Sequence, residues 1–455
     1  MKKVKKIRLD GKPKYKNIDL PVNHIKLAEI LNDNFDNFFI FESLGELDYD
    51  SRYVVIGFDP EMIINSTRKN KLYIDEIEYE CENSFDFLKE IMPQNVISRD
   101  YAGGLVGYMS YESVNLFEDK LDLPILKDFG LFRFGVYMDG IILDKYTGVY
   151  TYFYYKNDRF DRIMNIVSNY DNSSVDKSLK IKKIGNTLTK SKHKQIVEKV
   201  KEEIKKGNTF QCEVGFKSIY NIFGYDFELY KELRKQNPSP YMYYMKFGDK
   251  KIIGASPETL LRIRNEEVET VPLAGTIGRG KDEKEDRMLA KKMLDDKKEI
   301  AEHNMLVDLH RNDIGKVCRF GSVKVRKLHD VEKFSFVQHL SSTIVGLLDY
   351  DKDMFDAVRG ILPGGVLTGA PKIETIKIIH ENEKVPRGPY GGAIGIFGFN
   401  GDCTMAAVLR SMFVSGDTAF SQTCSGIVYD SDPDKEYEEI ERKFAAMDKT
   451  VSKFV

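Results

Sequence analysis

No segment of this 455-residue sequence has the run of about 18 apolar residues that a membrane-spanning helix needs. The basic N-terminus, MKKVKKIRLDGK, has no apolar stretch behind it, so neither a signal peptide nor a membrane anchor is expected. Tryptophan is absent, and the five cysteines are scattered without a CxxC pair. This pattern predicts reduced, mostly buried thiols in a cytoplasmic protein.

A strong net charge of either sign is also absent. The 69 Lys and Arg residues nearly balance the 71 Asp and Glu residues, which leaves a formal net charge of −2. Because this balance provides no basic field, neither a nucleic-acid partner nor a membrane partner is expected. The content of 42% hydrophobic and 31% charged residues is typical of a folded globular protein.

The pattern of apolar residues predicts an α+β protein. Short alternating or aromatic runs in the first third, such as RYVVIGF, GLVGYMSY and GVYTYFYY, predict strands of an antiparallel sheet. A polar stretch between Ser168 and Lys192 indicates a boundary between an N-terminal lobe, residues 1–180, and a catalytic domain, residues 190–455. Strands and helices mix after it without regular βαβ alternation, which disfavours a doubly wound nucleotide fold.

Three helices are predicted in the second part of the chain. An amphipathic helix runs from about Lys192 to Lys206 and ends at Gly207. Two longer helices are predicted over Asp282–His310 and Asp434–Lys453. Both of the longer helices carry paired carboxylates.

These carboxylates are spaced so that each pair shares one helix face. Glu299 and Glu302 lie three residues apart, roughly 60° around the helix, and continue an apolar stripe. Glu436 and Glu439 share a face with Ile440 in the same way. Carboxylates on a buried face are costly unless a cation or hydrogen bonds compensate them. Brought together, the two pairs would form an all-oxygen site for a hard divalent ion, and Mg²⁺ fits it well.

The spacing alone leaves alternatives open. Glutamates three apart are common in ordinary surface ion pairs, and a zinc site at His303 would lack a second His or Cys at ligand spacing. The segment PGGVLTGAPK does not match a phosphate loop, and RGPYGGAIGIFG does not match a dinucleotide fingerprint. Each is either a tight turn or a set of backbone N–H groups facing an anion. Arg410, in the strand-like run AAVLRSMFV, needs an anionic partner.

Segments between about Gly207 and Lys443 resemble the chorismate-utilising enzyme family. In order they are GNTFQ, NPSPYMYY, IIGASPET, PLAGT, DDKKEIAEHNMLVDLHRNDIG, VQHLSSTIVG, LTGAPK, RGPYGGAIG and GIVYDSDPDKEYEE. The N-terminal third is similar more loosely, mainly at FIFESLGELDYDSRYVVIGFDP. The resemblance implies an α+β fold of two large packed antiparallel β-sheets with outer helices, arranged in two lobes.

The resemblance also implies an active site. Mg²⁺ held by Glu299, Glu302, Glu436 and Glu439 would grip the ring carboxylate of chorismate, and Glu258 would be the general acid for the departing hydroxyl. His339 would assist the proton movements, although a satisfied core imidazole is the structural alternative. The other substrate-binding positions are Tyr390, Arg410, Ser425, Gly426 and Lys443 around the enolpyruvyl carboxylate, with Ala274, Gly275 and Thr276 at the reacting ring.

Two positions discriminate among the reactions of the family. Members that add water carry a lysine base where this chain has Gln211, and a neutral amide cannot take a proton from water. Members that make aminodeoxychorismate typically carry a nucleophilic lysine where this chain has Ala274. The resemblance therefore favours the anthranilate synthase large-subunit type, which forms anthranilate and pyruvate from chorismate in tryptophan biosynthesis. An aminodeoxychorismate synthase and a non-catalytic tryptophan- or chorismate-binding regulator are the alternatives.

The resemblance further implies partners and an inhibitor. No Cys–His glutaminase signature is present, so ammonia is expected from a glutamine amidotransferase subunit in a hetero-oligomer. Tryptophan is the expected feedback inhibitor, and its site would be formed by Glu42, Ser43, Pro238, Ser239, Tyr241 and Met242.

Three departures from the family pattern lie in these motifs. Cys424-Ser425-Gly426 stands in place of GAG, which adds side chains where backbone should meet a carboxylate. Val366 replaces a threonine of the substrate region. Cys212-Glu213-Val214-Gly215 replaces the apolar VVLS after Gln211. Altered affinity or an altered substrate is the expected consequence of these changes.

Overall fold

Two large antiparallel β-sheets, packed face to face, form the framework of the protein. The computed structural model describes residues 6–9, 11–19, 22–45, 51–93, 101–171, 176–334 and 337–455. The strands are, in chain order, β1 (Lys14–Ile18), β2 (Asn37–Glu42), β3 (Tyr53–Phe58), β4 (Met62–Arg68), β5 (Lys71–Ile74), β6 (Ile77–Glu80), β7 (Gly104–Met109), β8 (Phe132–Tyr137), β9 (Asp139–Asp144), β10 (Val149–Tyr154), β11 (Leu179–Asn186), β12 (Gln211–Gly224), β13 (Tyr241–Phe247), β14 (Lys250–Ser256), β15 (Thr259–Arg264), β16 (Glu267–Val271), β17 (Leu273–Gly278), β18 (Lys324–Lys333), β19 (Val337–Leu347), β20 (Gly369–Ala370), β21 (Ala393–Gly398), β22 (Cys403–Ala407), β23 (Ser411–Ser415) and β24 (Thr418–Ile427).

Helices lie mainly outside the sheets. They are α1 (His24–Asn34), α2 (Ser84–Ile91), α3 (Phe160–Ser168), α4 (Lys190–Lys205), α5 (Phe227–Gln236), α6 (Glu283–Asp295), α7 (Lys297–Gly315), α8 (Met354–Ile361), α9 (Lys372–Glu383) and α10 (Pro433–Val451). Short 3₁₀ turns cover Tyr111–Leu116, Gly365–Leu367 and Ser452–Phe454. The predicted α+β fold of two packed antiparallel sheets with outer helices is confirmed.

Within the described ranges, each sheet contains twelve strands drawn from both the first and the second half of the chain. The first sheet has the order β1-β10-β9-β3-β2-β13-β14-β23-β24-β12-β11, with β20 paired to β12. The second has the order β17-β19-β16-β15-β22-β21-β7-β8-β4-β5-β6, with β18 paired to β19. Strands of the predicted N-terminal lobe and of the predicted catalytic domain therefore pair with one another in both sheets, β2 with β13 in the first and β7 with β21 in the second.

The main hydrophobic core fills the space between the sheets. Phe39, Tyr243 and Phe413 enter it from the first sheet, and Tyr108 and Ile394 enter it from the second. Alternate residues of the first sheet point the other way and are covered by helices, because successive side chains of a strand face opposite sides. A second core, containing Leu27 of α1, Phe227 of α5 and Met447 of α10, lies on that outer face.

Two predicted elements are divided in the structure. The helix predicted over Asp282–His310 is two helices, because Asp296 adopts an extended conformation and its side chain accepts hydrogen bonds from the N–H groups of Lys298 and Glu299. The single strand predicted around Arg410 is wrong as well. The chain leaves the second sheet after β22 and enters the first at β23, and Arg410 lies between them with φ of 47°.

Several simpler expectations can be compared directly. All five cysteines are free thiols, and four of them are buried. The helix predicted near Lys192–Lys206 spans Lys190–Lys205, and Gly207 follows it in the left-handed conformation. Among the described residues, no helix is long and apolar enough to cross a membrane.

Candidate active site

Two of the places where the chain crosses from one sheet to the other lie side by side. Each of these two crossings carries a candidate site residue. Glu258 lies between β14 of the first sheet and β15 of the second, and Arg410 lies between β22 and β23. The backbones of the crossings are joined, because Ala407 N donates to the carbonyl of Glu258 and Ala255 N donates to the carbonyl of Arg410. The fold therefore places a carboxyl group and a guanidinium close together at the junction of the sheets.

Glu258 is buried and has the properties of a proton donor. Its Oε1 atom has no hydrogen-bond partner among the described residues. Burial, reinforced by the nearby Glu213 carboxyl and opposed by Arg410, raises the pKa of Glu258 to about 8. A carboxyl group with this pKa is mostly protonated at neutral pH and can release its proton to a leaving group.

His339 is held between Thr276, Gly275 and Arg410. Its Nδ1 atom lies 2.9 Å from the carbonyl oxygen of Gly275 and 3.1 Å from Thr276 Oγ1, across the pairing of β17 with β19. A carbonyl only accepts, so Nδ1 carries the proton and Nε2 is the acceptor for Arg410 Nη2 at 3.3 Å. Burial and the charge of Arg410 lower the pKa of His339 to about 4, which keeps the ring neutral.

The four predicted metal ligands lie within electrostatic reach of one another. Burial, together with Glu299, Glu213 and Glu436, raises the pKa of Glu302 to about 7, with Lys298 opposing. The pKa values of Glu299 and Glu436 are also raised, first by burial, and Glu439 contributes to both shifts. Helices α7 and α10, distant in sequence, therefore bring their acidic faces together.

The chemistry of these donors fits a hard divalent cation. All four ligands would supply carboxylate oxygens, and Glu436 Oε2 is buried without a hydrogen-bond partner among the described residues. Among the same residues, no three acidic, histidine or cysteine side chains already converge tightly enough to hold an ion. One of the four, Glu439, instead forms an ion pair of 2.8 Å with Lys443. Rotation of these side chains would be needed to close the site around an ion.

The PLAGT segment runs directly beside the acidic cluster. Gly275 has φ of 61°, and a Cβ atom at this position would lie 3.0 Å from Glu299 Oε2. Glycine is therefore required here both for the backbone conformation and for the space that the carboxylate occupies. Thr276, which follows it, contacts His339 Nδ1, whereas Ala274, which precedes it, is paired with Leu340.

The predicted binding site for the second carboxylate lies where β12 pairs with β24. Glu213 is directly opposite Gly426, and a Cβ atom on this glycine would lie 2.6 Å from both Gln211 Nε2 and Glu213 Oε1. Lys443 donates a 2.8 Å hydrogen bond to the carbonyl of Cys424. Ser425 is fully buried beside them. The structure thus brings Gln211, Ser425, Gly426 and Lys443 together.

Tyr390 reaches the same region through a cysteine. Its hydroxyl lies 2.9 Å from Cys424 Sγ, which in turn lies 3.0 Å from Glu213 Oε2. Arg410 takes no part in this chain of contacts, because its guanidinium is bonded to His339. The two side chains predicted to hold one carboxylate are therefore linked to different neighbours.

A buried arginine that the sequence analysis missed supports this region. Arg387 donates to both oxygens of Glu383 and to the carbonyls of Leu367 and Glu213. It also stacks over the ring of Tyr111, 4.5 Å from the ring centroid. Its bond to the Glu213 carbonyl holds β12 in position. Its position directly before GPYGG could have indicated a buried role for Arg387, because an arginine in an apolar, glycine-rich segment needs buried acceptors.

Four of the six predicted tryptophan-site residues line a separate cavity of about 440 Å³. Glu42, Ser43, Tyr241 and Met242 line it, whereas Pro238 and Ser239 do not and the adjacent Pro240 does. The carboxylate of Glu42 is bonded to Arg234, Tyr230 and His24. Although burial opposes it, the hydrogen bonds from these groups lower the pKa of Glu42 to about 2.

Comparison with known proteins agrees with this geometry. The profile of the family described as chorismate binding enzyme matches residues 36–449. Anthranilate synthase component 1 of Leptospira biflexa is 47% identical over 453 residues, which cover 98% of this chain and 97% of that protein. The crystal structure of anthranilate synthase component I from Streptococcus pneumoniae has a TM-score of 0.78 at 31% identity and covers 88% of this chain and 94% of its own.

A more distant structure shares the fold alone. The menaquinone-specific isochorismate synthase of Escherichia coli has a TM-score of 0.74 at 17% identity, covering 98% of this chain and 96% of its own. The profile match and the near full-length identity to relatives lead to the same assignment. This chain belongs to the chorismate binding enzyme family.

Proposed function

We propose that this chain is the chorismate-binding large subunit of an anthranilate synthase. It would convert chorismate and ammonia into anthranilate and pyruvate, as a lyase acting in tryptophan biosynthesis. The observation that carries the proposal is the identity of 47%, along nearly the whole chain, to a protein named anthranilate synthase component 1. Gln211 and Ala274 support it, because neither can act as the lysine base or lysine nucleophile of the alternative reactions.

Glu258 is the proposed general acid of this reaction. Its pKa of about 8 leaves it protonated at neutral pH, so it can donate a proton to the ring hydroxyl as that group departs. Among the described residues, Arg410 is the charge that opposes this rise in pKa.

His339 is the proposed residue for the later proton movements. It is neutral, and its Nε2 lone pair accepts a hydrogen bond from Arg410. If the substrate carboxylate takes over the guanidinium, Nε2 becomes available to accept a proton from the ring as pyruvate leaves. Thr276 and the Gly275 carbonyl orient the imidazole for this role.

Glu299, Glu302, Glu436 and Glu439 are proposed to hold Mg²⁺. When bound, the ion would offset the charge of the ring carboxylate and of the glutamates themselves. The raised pKa values of Glu302, Glu299 and Glu436 support this proposal, because a cluster of half-buried carboxylates is stabilised by a divalent cation.

Two further elements complete the proposal. A glutamine amidotransferase subunit would supply ammonia, with free ammonium as a substitute in its absence. The cavity lined by Glu42, Ser43, Tyr241 and Met242 would bind tryptophan as a feedback inhibitor, and its volume of about 440 Å³ is within the usual range for small ligands. A cytoplasmic location stays a prediction from the sequence.

The direct test is to incubate the purified chain with chorismate, Mg²⁺ and ammonium near pH 8. Anthranilate fluorescence with an equal amount of pyruvate is the expected result. An amino product without pyruvate would instead indicate an aminodeoxychorismate synthase. Binding of chorismate or tryptophan without turnover would indicate a regulator.

A further inference from the structure

Two departures from the family pattern touch each other inside the proposed active site. The resemblance leads one to expect an apolar residue at Glu213 and a glycine at Cys424. In the structure, Cys424 Sγ donates to Glu213 Oε2 at 3.0 Å, and Tyr390 donates to the cysteine sulfur from 2.9 Å. The acid and the thiol are therefore joined by a hydrogen bond inside the proposed active site.

The strand register directs Glu213 towards the substrate side of β12. Cys212 and Val214 belong to the cluster under α4 and α9, so the alternate residues Gln211 and Glu213 point to the opposite face. On that face Glu213 lies against Gly426, where the enolpyruvyl carboxylate is proposed to be held. The backbone of Glu213 is held by its bonds to Thr368 and Arg387, so the side chain has a defined position.

An unused acceptor lies beside this carboxyl group. Gln211 Nε2 donates to Glu213 Oε1 at 3.3 Å, which orients the amide and turns its oxygen away. Gln211 Oε1 is then buried without a partner among the described residues, and the residue is only 7% exposed. Leaving such an acceptor unpaired is costly, so a small ligand that donates N–H or O–H groups is expected there.

We propose that Gln211 and Glu213 form the subsite that holds ammonia for attack on the chorismate ring. Ammonia has three N–H donors and one lone pair, so it can donate to Gln211 Oε1 and to the Glu213 carboxylate while its lone pair faces the substrate. This inference rests on the proposed anthranilate-forming function. Glu213 stabilises the positive charge that nitrogen gains as the carbon–nitrogen bond forms.

The proposed step requires an ionised Glu213 and a protonated Glu258, and the surroundings of the two buried acids favour this arrangement. Glu213 receives hydrogen bonds from Gln211 and Cys424 and lies near Lys443, all of which favour its ionised form. Among the described residues, Glu258 Oε1 receives no such bond. The two carboxyl groups also repel each other, so one of them retains a proton. Burial raises the pKa of both, and Glu439 raises that of Glu213 further, whereas Lys443, Cys424 and Arg387 oppose the rise. The ionised form is assigned to Glu213 because its carboxylate accepts hydrogen bonds from Gln211 and Cys424.

The chemical step balances with these groups alone. The nitrogen lone pair forms a bond to the ring carbon next to the one that bears the carboxylate, and the two ring double bonds each shift by one position. The electron pair of the breaking carbon–oxygen bond then leaves with the ring hydroxyl. That hydroxyl takes the proton of Glu258 and departs as water. Nitrogen keeps its three hydrogens as an ammonium group, with the Glu213 carboxylate as its counter-ion and a carboxylate at Glu258.

The test is the E213Q variant of the full chain, assayed with chorismate, Mg²⁺ and ammonium chloride at one pH. We expect the KM for ammonia to rise about tenfold, the size of one lost charge-assisted hydrogen bond. The KM for chorismate should stay unchanged or fall, because the substitution removes a negative charge beside a substrate carboxylate. A merely structural role would not move the two constants in different directions.

Two further variants control the result. Cys212→Val changes the neighbouring residue on the opposite face of β12 and should leave both constants unchanged. The double variant Glu213→Val, Cys424→Gly restores the pattern that the resemblance leads one to expect, so it provides a second measurement if E213Q does not fold. Its ammonia KM should also rise about tenfold.

Several outcomes would overturn the subsite. They are an ammonia KM that is unchanged in both variants, a rise confined to the chorismate KM, or a hydroxylated product formed without ammonium and lost in E213Q. The last result would mean that Glu213 activates water instead. If the unmodified chain makes no anthranilate at all, the proposed function fails first, and this result is distinct from an active chain with an unaffected E213Q variant.

Discussion

The hydroxyl of Tyr241 lies 2.7 Å from Oγ1 of Thr259, the residue that directly follows the buried acid Glu258. Tyr241 lines the 440 Å³ cavity, whereas Thr259 begins the strand that enters the second sheet beside Glu258. One hydrogen bond thus connects the wall of the proposed tryptophan site to the backbone that carries the proposed proton donor. A ligand that moves Tyr241 would act directly on the position of Glu258.

Tyr241→Phe should therefore weaken tryptophan inhibition more than it weakens catalysis. We expect the half-inhibitory tryptophan concentration to rise by about fivefold, which corresponds to roughly 1 kcal/mol of lost coupling. The rate without tryptophan should fall by less. Anthranilate fluorescence measured against tryptophan concentration checks this. Tyr243→Phe is the matched control, since Tyr243 lines the same cavity but its hydroxyl contacts Ser411. Equal effects of the two variants would contradict the proposed link.

Glu302→Gln should abolish Mg²⁺-dependent turnover without unfolding the protein. The glutamine keeps the shape of the side chain but removes one charge from the acidic cluster, whose members already repel one another. Without Mg²⁺ at pH 8, the melting temperature should be unchanged or higher. Rates and thermal melts, with and without Mg²⁺, measure both effects. Exposed Glu438→Gln on α10 is the control and should behave like the unmodified chain. Full activity of Glu302→Gln would refute the metal assignment.

The pH dependence should follow the protonation of Glu258. Because its pKa is about 8, kcat/KM for chorismate should fall above pH 8 by about tenfold per pH unit. Free ammonia must be held constant across the series, because ammonium itself loses a proton in this range. A rate that stays level up to pH 10 would show that Glu258 is not the acid.

Glu258 should make the protein less stable as the pH rises, whereas a salt-bridged acid makes a protein more stable as the pH rises. The folded pKa of Glu258 is raised from 4.5 to about 8, so the native state binds the proton more tightly than the unfolded chain. The contribution of Glu258 to stability therefore decreases as the pH rises from about 4.5 to 8 and stays low above that. Glu258→Gln should raise the melting temperature at pH 9 relative to the unmodified chain, while abolishing turnover. A lower melting temperature at pH 9 would contradict the buried, unpaired carboxyl.

Arg387→Met should destabilise the protein strongly. The substitution leaves Glu383 buried without its partner and removes the donors to the carbonyls of Leu367 and Glu213. Breaking one side of a buried ion pair typically costs about 3 kcal/mol or more. Denaturant unfolding measures this loss. Arg359→Met, at the more exposed pair with Asp86, should cost less than about 1 kcal/mol. Similar losses for the two variants would show that burial of Arg387 contributes little.

The local pattern of apolar residues was sufficient to predict many of the strands and helices. It was not sufficient to predict where a helix or strand is interrupted. The runs RYVVIGF and GVYTYFYY are strands, as predicted, because alternation of side chains is a local property. The predicted helix over Asp282–His310 failed because helical periodicity continues through Asp296, whereas the capping of the second helix depends on its backbone conformation. AAVLRSMFV failed as one strand because its two halves belong to different sheets.

The sequence by itself determined which side chains share a face. Glu299 with Glu302, and Glu436 with Glu439, lie together because residues three apart are neighbours on any helix. Family motifs then related these pairs to Glu258 and His339. The shared helix faces follow from short segments of the chain, and the other relations follow from the family motifs. Neither depends on how distant segments pack.

Only the tertiary structure decided the charges and contacts of the site. The bond from Cys424 to Glu213 exists because β12 and β24 pair in one particular register, and nothing in either segment alone specifies that register. The protonation of Glu258 likewise depends on burial at the crossing between the sheets and on Glu213 from another strand. Electrostatic energies change steeply with solvent access and distance, and both quantities are fixed only when the two sheets pack together around the site.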